Sequence, residues 1–343
     1  MNITNKNNWS GKHGPLLIAE IGGNHEGNLD YAVELTKLAI ESDVDYVKFQ
    51  IYDGNSLVNK LVSPDRYKHF NKFMLTVKEY KILAKLCKES NIGFMASIWS
   101  NDLIDEFDSY IPIYKIGSGD LTAYSVIKKI VSKNKPIILS TGISTFSEVN
   151  NSVNYIKTLN NSFYNNSNNL AILQCTSMYP IQYEDANINV IKSLKKINNV
   201  TVGYSDHTTD NRALIYSYIL GAEILEFHFT DTKKGKVFRD HKVSLTKKDV
   251  SSLINEIKII KRIKGSHEKK PENCEIKNDH HISFRRGVYL NKNIKKGEII
   301  KETDLISLRP NVGISAENYF QIIGKESKKD IKSLEPLSFK FFK

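Results

Sequence analysis

The sequence predicts an α/β chain in which a (β/α)8 TIM barrel is followed by a small, mostly-β domain. Three observations lead to this prediction. Eight short apolar runs bounded by turn residues recur along most of the 343-residue chain, amphipathic stretches separate them, and the composition changes after Ile263. The length suits one barrel of up to about 250 residues together with a second, smaller domain.

The eight apolar runs are interpreted as buried parallel strands joined by crossover helices. The runs begin at Leu16, Asp45, Ile92, Ile113, Pro136, Leu170, Val200 and Glu223. Helical periodicity covers the stretches Leu29–Ser42, Val77–Ser90 and Ser147–Leu159, and it returns after the eighth run over Lys247–Ile263. Eight repeats in about 260 residues favour a closed barrel, and an open doubly wound sheet remains the alternative.

The end of the chain differs from the repeats before it. We predict a barrel domain over residues 1–265, a polar, charged linker over 266–282 and a second domain over 283–343. The second domain consists of short β-like segments with few apolar positions, so we expect it to be stabilised by docking on another surface.

Charge and hydropathy exclude several classes of protein. Lysine and arginine exceed aspartate and glutamate by 49 to 38, a net charge of +11, but the lysines are interspersed with acids, so we expect no nucleic-acid partner. No apolar run approaches the roughly 20 residues of a membrane helix, and no signal-peptide pattern is present, so we expect a cytoplasmic protein. The three cysteines show no CxxC spacing, which argues against a disulfide framework or a cysteine zinc site.

Polar residues concentrate at the carboxyl ends of the predicted strands, where a barrel of this type carries its active site. Charged side chains facing a barrel interior are costly unless they are paired or functional. The eight strand ends carry, in order, Glu20, Asn24 and His25; Lys48 and Gln50; Ser97; Lys115, Ser118 and Asp120; Ser140 and Thr141; Gln174, Thr176, Ser177 and Tyr179; Ser205, Asp206 and His207; and Glu226 and His228.

Two kinds of site are indicated among these residues. Lys48 and Lys115 lie within apolar strands near the turns GSG and STG, a combination suited to binding phosphate or carboxylate. His207 and His228 end adjacent strands and could hold one divalent ion, with manganese favoured, although a hydrogen-bonded histidine pair would look the same. No nucleotide-binding glycine motif is present.

The strings AEIGGNHEG, VKFQ, YKIGSGD, ILSTG, CTSMYP, GYSDHT and HFT occur in this order between Ile18 and Thr230. In this order they resemble the sialic acid synthase family, and the tail VYLNKNIKKGEII…LRPNVGIS…IGK resembles that family's antifreeze-like (SAF) domain. The resemblance implies condensation of phosphoenolpyruvate with an N-acetylated amino sugar aldehyde to give a nine-carbon keto acid. It also implies a homodimer in which each antifreeze-like domain is swapped onto the partner's barrel.

The resemblance further implies roles for single residues. His207 and His228 would be ligands of a divalent metal, most simply Mn²⁺ with Mg²⁺ or Co²⁺ as alternatives, and Glu20 would lie beside the reacting carbons. The residues expected to hold phosphoenolpyruvate are Lys48, Ser97, Lys115, Ser118, Ser140 and Ser205. Those expected to contact the sugar are Gln50, Asp120, Tyr179, Asp240 and, from the partner's tail, Arg309.

Several positions depart from the family pattern. Ile98-Trp99 replaces a common Pro-Phe, Phe227 replaces a basic residue, and Ser177 and Asp120 replace Asn and Glu. The last two changes touch the sugar pocket, so they leave open which sugar is used, N-acetylmannosamine or a 6-deoxy diacetamido relative. A metal-dependent barrel aldolase and a non-catalytic sugar-acid binding protein remain as alternative functions.

Overall fold

The computed structural model describes residues 7–343, which form two compact units. The first ends at Lys264 and the second runs from Gly265 to Lys343. The strands are β1 (Ser10–Gly11), β2 (Gly14–Glu20), β3 (Tyr46–Ile51), β4 (Gly93–Ile98), β5 (Tyr114–Ile116), β6 (Ile137–Ser140), β7 (Leu170–Cys175), β8 (Thr201–Asp206), β9 (Ile224–His228), β10 (Gly287–Leu290) and β11 (Leu305–Leu308).

Helices follow the strands of the first unit. They are α1 (Leu29–Glu41), α2 (Gly54–Leu57), α3 (Pro64–Phe73), α4 (Val77–Glu89), α5 (Asn101–Phe107), α6 (Tyr124–Val131), α7 (Phe146–Leu159), α8 (Asn161–Tyr164), α9 (Val190–Leu194), α10 (Arg212–Ile219), α11 (Asp240–Val243) and α12 (Lys247–Lys264). The second unit contains α13 (Asn273–Lys277) and α14 (His280–Ser283). None of the helices in residues 7–343 has the length and apolar character that crossing a membrane requires.

Strands β2 to β9 pair in parallel in sequence order, and β2 also pairs with β9, with Glu20 opposite His228. This last pairing closes the sheet into a barrel, which confirms the predicted fold class and excludes the open doubly wound alternative. The eight apolar runs of the sequence are the eight barrel strands, displaced by no more than two residues at their starts.

Local sequence signals explain where the principal helices begin. Helix α4 starts after Thr76. The side chain of Thr76 accepts a hydrogen bond from the backbone amide of Glu79, and the Glu79 carboxylate accepts one from the backbone amide of Thr76. Thr145 and Glu148 form the same reciprocal capping box at the start of α7. Each box satisfies two amide groups that the first helical turn leaves without partners.

The barrel interior changes character along its axis. The interior is apolar toward the amino-terminal ends of the strands, where the buried side chains include Ile18, Met95, Ile113, Ile138 and Ile224. Two residues farther along the same strands, on the same face, come Glu20, Ser97, Lys115, Ser140 and Glu226. The twofold periodicity of a strand therefore places these polar groups inside the barrel at its carboxyl end.

The amino-terminal hairpin of β1 and β2 contributes Trp9, which is buried within this interior cluster. Its indole Nε1 donates a hydrogen bond of 2.5 Å to the carbonyl of Ser167. No sequence pattern predicts this position for Trp9.

The second unit contains the antiparallel pair β10 and β11, in which Gly287 lies opposite Leu308 and Leu290 opposite Leu305. It has a hydrophobic core of its own, formed by Val288, Leu290, Ile294, Ile300, Leu305, Ile314, Ile322, Ile331, Leu337 and Phe342. This core is more substantial than the short β-like segments suggested. The stretch predicted as a linker, residues 266–282, carries α13 and most of α14 and is almost wholly exposed. The boundaries proposed for the two domains and the linker remain predictions.

Candidate active site

Four charged side chains meet inside the barrel, and each of them is almost fully buried. Glu20, Lys48, Lys115 and Glu226 are each no more than 6% exposed. Lys48 forms an ion pair with Glu20, and its Nζ lies 3.9 Å from Oε2 of Glu226. The Nζ of Lys115 lies 3.5 Å from Oε1 of Glu226 and donates a 2.7 Å hydrogen bond to Oγ of Ser140. The structure thus brings together the two lysines that the sequence singled out, with a carboxylate between them.

The surroundings shift the pKa of each of the four groups. Burial raises the pKa of Glu20, although Lys48 opposes the shift. Burial would lower the pKa of Lys48, but Glu20 and Glu226 more than offset it and raise the pKa. Burial dominates at Lys115 and lowers its pKa, whereas at Glu226 the two lysines outweigh burial and lower the pKa. Lys115 is therefore the less firmly charged of the two lysines.

Hydroxyl groups border this cluster. Ser205 Oγ donates a 2.9 Å hydrogen bond to Glu226 Oε1, and the buried Ser97 lies opposite Lys115 in the β4–β5 register. Ser118 Oγ accepts a 3.0 Å hydrogen bond from the amide of Gly142. A Cβ at Gly142 would lie 2.8 Å from this hydroxyl, so only glycine permits the close approach of the two turns.

Asp120 follows Ser118 in the same loop. Burial raises its pKa to about 6, although Lys115 acts in the opposite direction. A carboxyl group with a raised pKa at the edge of a polar site is typical of functional positions.

Two imidazoles form the second half of the site. The ring centroids of His207 and His228 are 5.3 Å apart. The Nδ1 of His207 lies 2.6 Å from the carbonyl of Thr176, which can only accept a hydrogen bond, so Nδ1 carries a hydrogen and donates it, and Nε2 is the nitrogen left free to ligate a metal. The Nδ1 of His228 is buried and has no hydrogen-bond partner within the described chain, and Oδ2 of Asp240 lies 3.9 Å away.

The two imidazoles differ in protonation. Burial and the neighbouring His207 lower the pKa of His228 well below its ordinary range, so His228 is neutral, the form that ligates metals. Burial also disfavours the charged form of His207, but the Cys175 side chain, with Sγ 3.8 Å from Nδ1, and the Thr176 carbonyl raise the pKa of His207 to about 9. Metal binding at this pair would release a proton from His207.

An unpartnered buried imidazole nitrogen beside a second imidazole is a pair of donors that fits a divalent metal. Residues 7–343 contain no group of three or more histidine, cysteine, aspartate or glutamate side chains arranged to hold a metal ion. The protein groups that could ligate a metal here are therefore the two imidazoles of His207 and His228, with water and substrate completing the coordination.

Tyr179 lies over the imidazole pair. Its ring centroid is 4.1 Å from that of His207 and 5.6 Å from that of His228. The guanidinium carbon of Arg239 lies 4.8 Å from the Tyr179 centroid, and Arg239 Nε lies 3.3 Å from Oδ1 of Asp240. Tyr179 and Asp240, both predicted sugar contacts, thus lie beside the imidazoles.

A wall of aromatic rings extends from the end of β3 and β4 across α3. Trp99 stacks on Tyr52 with their ring centroids 5.3 Å apart, and Tyr52 meets Phe70 edge-on with a centroid distance of 5.2 Å. The ring centroids of Phe73 and Phe238 are 4.9 Å apart. Gln50, two residues before Tyr52, donates a 2.8 Å hydrogen bond to Oε1 of Glu20. The wall therefore adjoins the charged cluster through β3.

Arg309 lies in the second unit. Its guanidinium carbon is 5.7 Å from the Phe284 ring centroid. It also contributes to a cavity of about 380 Å³ within this unit, lined in addition by Tyr289, Leu308, Pro310, Val312, Leu334 and Pro336. The expected contact of Arg309 with the sugar in the partner's barrel remains a prediction.

The sequence did not assign a role to Glu226 or Arg239. Glu226 could have been found, because it lies two residues before His228 on one strand and so faces the same side of the sheet. Arg239 could not, since its contact with Tyr179 joins two loops that are 60 positions apart in the chain.

The family model described as the NeuB family matches residues 35–269, and the model of the SAF domain matches residues 285–343.

Two curated relatives are N,N'-diacetyllegionaminic acid synthases. The protein from Campylobacter jejuni is 34% identical over 93% of this chain and 98% of its own, and the protein from Legionella pneumophila is 33% identical over 90% of this chain and 89% of its own. A crystal structure of N-acetylneuraminic acid synthetase from Leptospira borgpetersenii is 25% identical, covers 78% of this chain and 90% of its own, and superimposes with a TM-score of 0.70.

Proposed function

Because the chain belongs to the NeuB family, we propose that it is a nonulosonic acid synthase, a transferase that condenses phosphoenolpyruvate with an N-acetylated amino sugar. The products are a nine-carbon 2-keto sugar acid and phosphate. The observation that carries this proposal is the adjacency of two sites in one barrel. Buried Lys48 and Lys115 suit a phosphate and a carboxylate, and the imidazoles of His207 and His228 suit a metal that activates an aldehyde.

The substrate anion is assigned to the lysine cluster. Lys48 and Lys115 would offset the charges of the phosphate and carboxylate, and the hydroxyls of Ser97, Ser118, Ser140 and Ser205 border the same space. In a buried site such charge-assisted hydrogen bonds are stronger than in water, so they would orient the enol carbon toward the aldehyde.

His207 and His228 would hold the divalent ion, for which we propose Mn²⁺. When bound, such an ion supplies Lewis-acid polarisation of the aldehyde oxygen. Asp240 and Tyr179 adjoin the imidazoles, where they would fix the open-chain sugar.

Glu20 would handle the proton of the attacking water. Carbon–carbon bond formation leaves a cationic carbon at C2 of the former phosphoenolpyruvate, water adds there, and phosphate leaves from the tetrahedral intermediate. The buried carboxyl of Glu20, whose pKa is raised, is suited to accept the proton of that water, and Gln50 and Lys48 hold its two oxygens.

For the sugar we propose a 6-deoxy diacetamido hexose of the kind that leads to diacetyllegionaminic acid. The names of the two curated relatives support this choice.

We further propose a cytoplasmic homodimer with a swapped second domain, in which Arg309 approaches the sugar of the partner's site. This follows from the resemblance of the tail to the antifreeze-like domain, which the SAF match over residues 285–343 supports.

Product analysis tests the reaction. The enzyme, phosphoenolpyruvate and Mn²⁺ are incubated with N-acetylmannosamine and with 6-deoxy diacetamido hexoses, and mass spectrometry and phosphate release are followed together. We expect the nine-carbon acid and one phosphate per product, with the diacetamido sugar preferred. In a parallel incubation with pyruvate in place of phosphoenolpyruvate, formation of the nine-carbon acid would identify an aldolase instead, and binding without turnover in either incubation would identify a sugar-acid binding protein.

Lys115→Met should raise the KM for phosphoenolpyruvate about tenfold or more, because one charge-assisted contact is worth about 1.5–3 kcal/mol. The KM for the sugar should change little. Steady-state kinetics with each substrate varied in turn measures both values.

Lys81→Met is a matched control, since Lys81 pairs with Glu106 far from the strand ends. An equal rise in both KM values for Lys115→Met would place the phosphate site elsewhere.

A further inference from the structure

Glu226 occupies a position in the charged cluster that the proposed reaction leaves without a task. It is 6% exposed, and its carboxylate lies between two lysines, 3.5 Å from Lys115 Nζ and 3.9 Å from Lys48 Nζ. Ser205 Oγ donates to Oε1, whereas Oε2 accepts no hydrogen bond in the described chain. Burying an ionised carboxylate costs free energy unless it is paired, and a negative charge among anion-binding groups also repels the anion, so we expect Glu226 to have a compensating role.

The two lysines depend on Glu226 to different degrees. Lys48 has Glu20 as a closer carboxylate partner. Among residues 7–343, Lys115 forms its ion pair with Glu226 and donates a side-chain hydrogen bond to the neutral Ser140. Loss of Glu226 would therefore leave the buried ammonium of Lys115 without a directly paired carboxylate.

Two opposed effects of Glu226 on an incoming anion can be distinguished. Its negative charge repels the phosphate, and its pairing keeps Lys115 aimed and cationic. The second effect is expected to dominate, because a buried lysine that loses its paired carboxylate gives up its proton more readily, and the site would then lose one of its two lysine charges.

On the basis of the proposed function, we propose that Glu226 is a positioning residue that holds the Lys115 ammonium in place to receive phosphoenolpyruvate. It acts through Lys115 and takes no part in bond making. Ser205 fixes Oε1 of Glu226, the oxygen nearer to Lys115, so the hydroxyl serves the same arrangement.

The role of Glu226 should be visible in the pH dependence of anion binding by Lys115. Removing Glu226 removes the largest opposing influence to burial, so Lys115 should lose its proton at a lower pH, and the alkaline limb of anion binding should move down in pH. The charged and titratable groups that face Lys115 are Glu20 on β2, Lys48 on β3, Asp120 in the loop after β5, Cys175 on β7 and Glu226 on β9.

The test is direct binding of phosphoenolpyruvate to the full-length protein by calorimetry, without sugar, for wild type and Glu226→Gln. Glutamine keeps the shape of glutamate and removes its charge. We expect Glu226→Gln to bind phosphoenolpyruvate at least about tenfold more weakly and the alkaline limb of the binding to shift to lower pH. Unchanged or tighter binding would overturn the proposal, because it would leave Glu226 as a source of repulsion or as a purely structural group.

Asp304→Asn is the matched control, since Asp304 is a buried carboxylate that pairs with Lys292 at 2.8 Å in the second unit. It should leave phosphoenolpyruvate binding unchanged. Thermal unfolding of both variants separates a loss of fold from a loss of binding.

A double-mutant cycle shows whether Glu226 acts through Lys115. In the Lys115→Met background, Glu226→Gln should change the affinity for phosphoenolpyruvate less than threefold, since the group that it positions is absent. Additive losses would overturn the proposal. If wild type binds phosphoenolpyruvate but forms no nine-carbon product, the proposed function fails while this binding test still decides the role of Glu226, and if wild type binds none, both are overturned.

Discussion

Replacing His228 with alanine is expected to lower turnover by about a thousandfold or more, with the fold preserved. The imidazole is one of the two protein ligands proposed for the metal, and its Nδ1 makes no hydrogen bond within residues 7–343, so no buried partner is orphaned when it is removed. Product formation by mass spectrometry measures the loss, and elemental analysis of dialysed protein measures bound metal.

His241→Gln provides a control, because His241 is also a buried histidine but bonds Thr230 at 2.7 Å, outside the imidazole pair. It should retain metal at the level of wild type. Chelation of wild type should abolish turnover reversibly on readdition of Mn²⁺. Full activity in excess chelator would refute the metal assignment for His207 and His228.

The barrel could be predicted from the sequence because its strands are buried on both faces and therefore read as short apolar runs. The positions of Lys48, Lys115 and Ser140 followed from the same rule. Once each strand end is located, the side-chain period of two decides which residues face the interior.

Contacts that depend on three-dimensional closeness could not be predicted in this way. Trp9 fills the barrel interior, although its hydrogen bond to Ser167 spans 158 positions of the chain. Glu226 pairs with Lys48 and Lys115 across the barrel, and no local pattern encodes which lysine an acid will meet. These charges meet because the pairing of β2 with β9 closes the sheet and brings strands that are distant in the sequence around one interior.

Mixing inactive Arg309→Ala subunits with inactive His207→Ala subunits is expected to restore up to about a quarter of wild-type activity. If each tail serves the partner's barrel, one site of a mixed dimer combines an intact imidazole pair with an intact arginine, and the other site carries both defects. Random exchange makes half of the dimers mixed, and each has one good site of two, which gives the quarter. Differently tagged subunits confirm exchange before activity is measured.

The matched control is a mixture of His207→Ala with His228→Ala subunits. His207 directly follows β8 and His228 ends the adjacent β9 of the same barrel, so no exchange of tails can bring an intact pair together, and this mixture should stay inactive. Activity in the first mixture and none in the second would assign Arg309 to the partner's site, because only the arginine would then be supplied in trans. If mixed dimers of the first kind form and remain inactive, Arg309 acts within its own chain or has no part in catalysis, and the proposed swap is wrong for this protein.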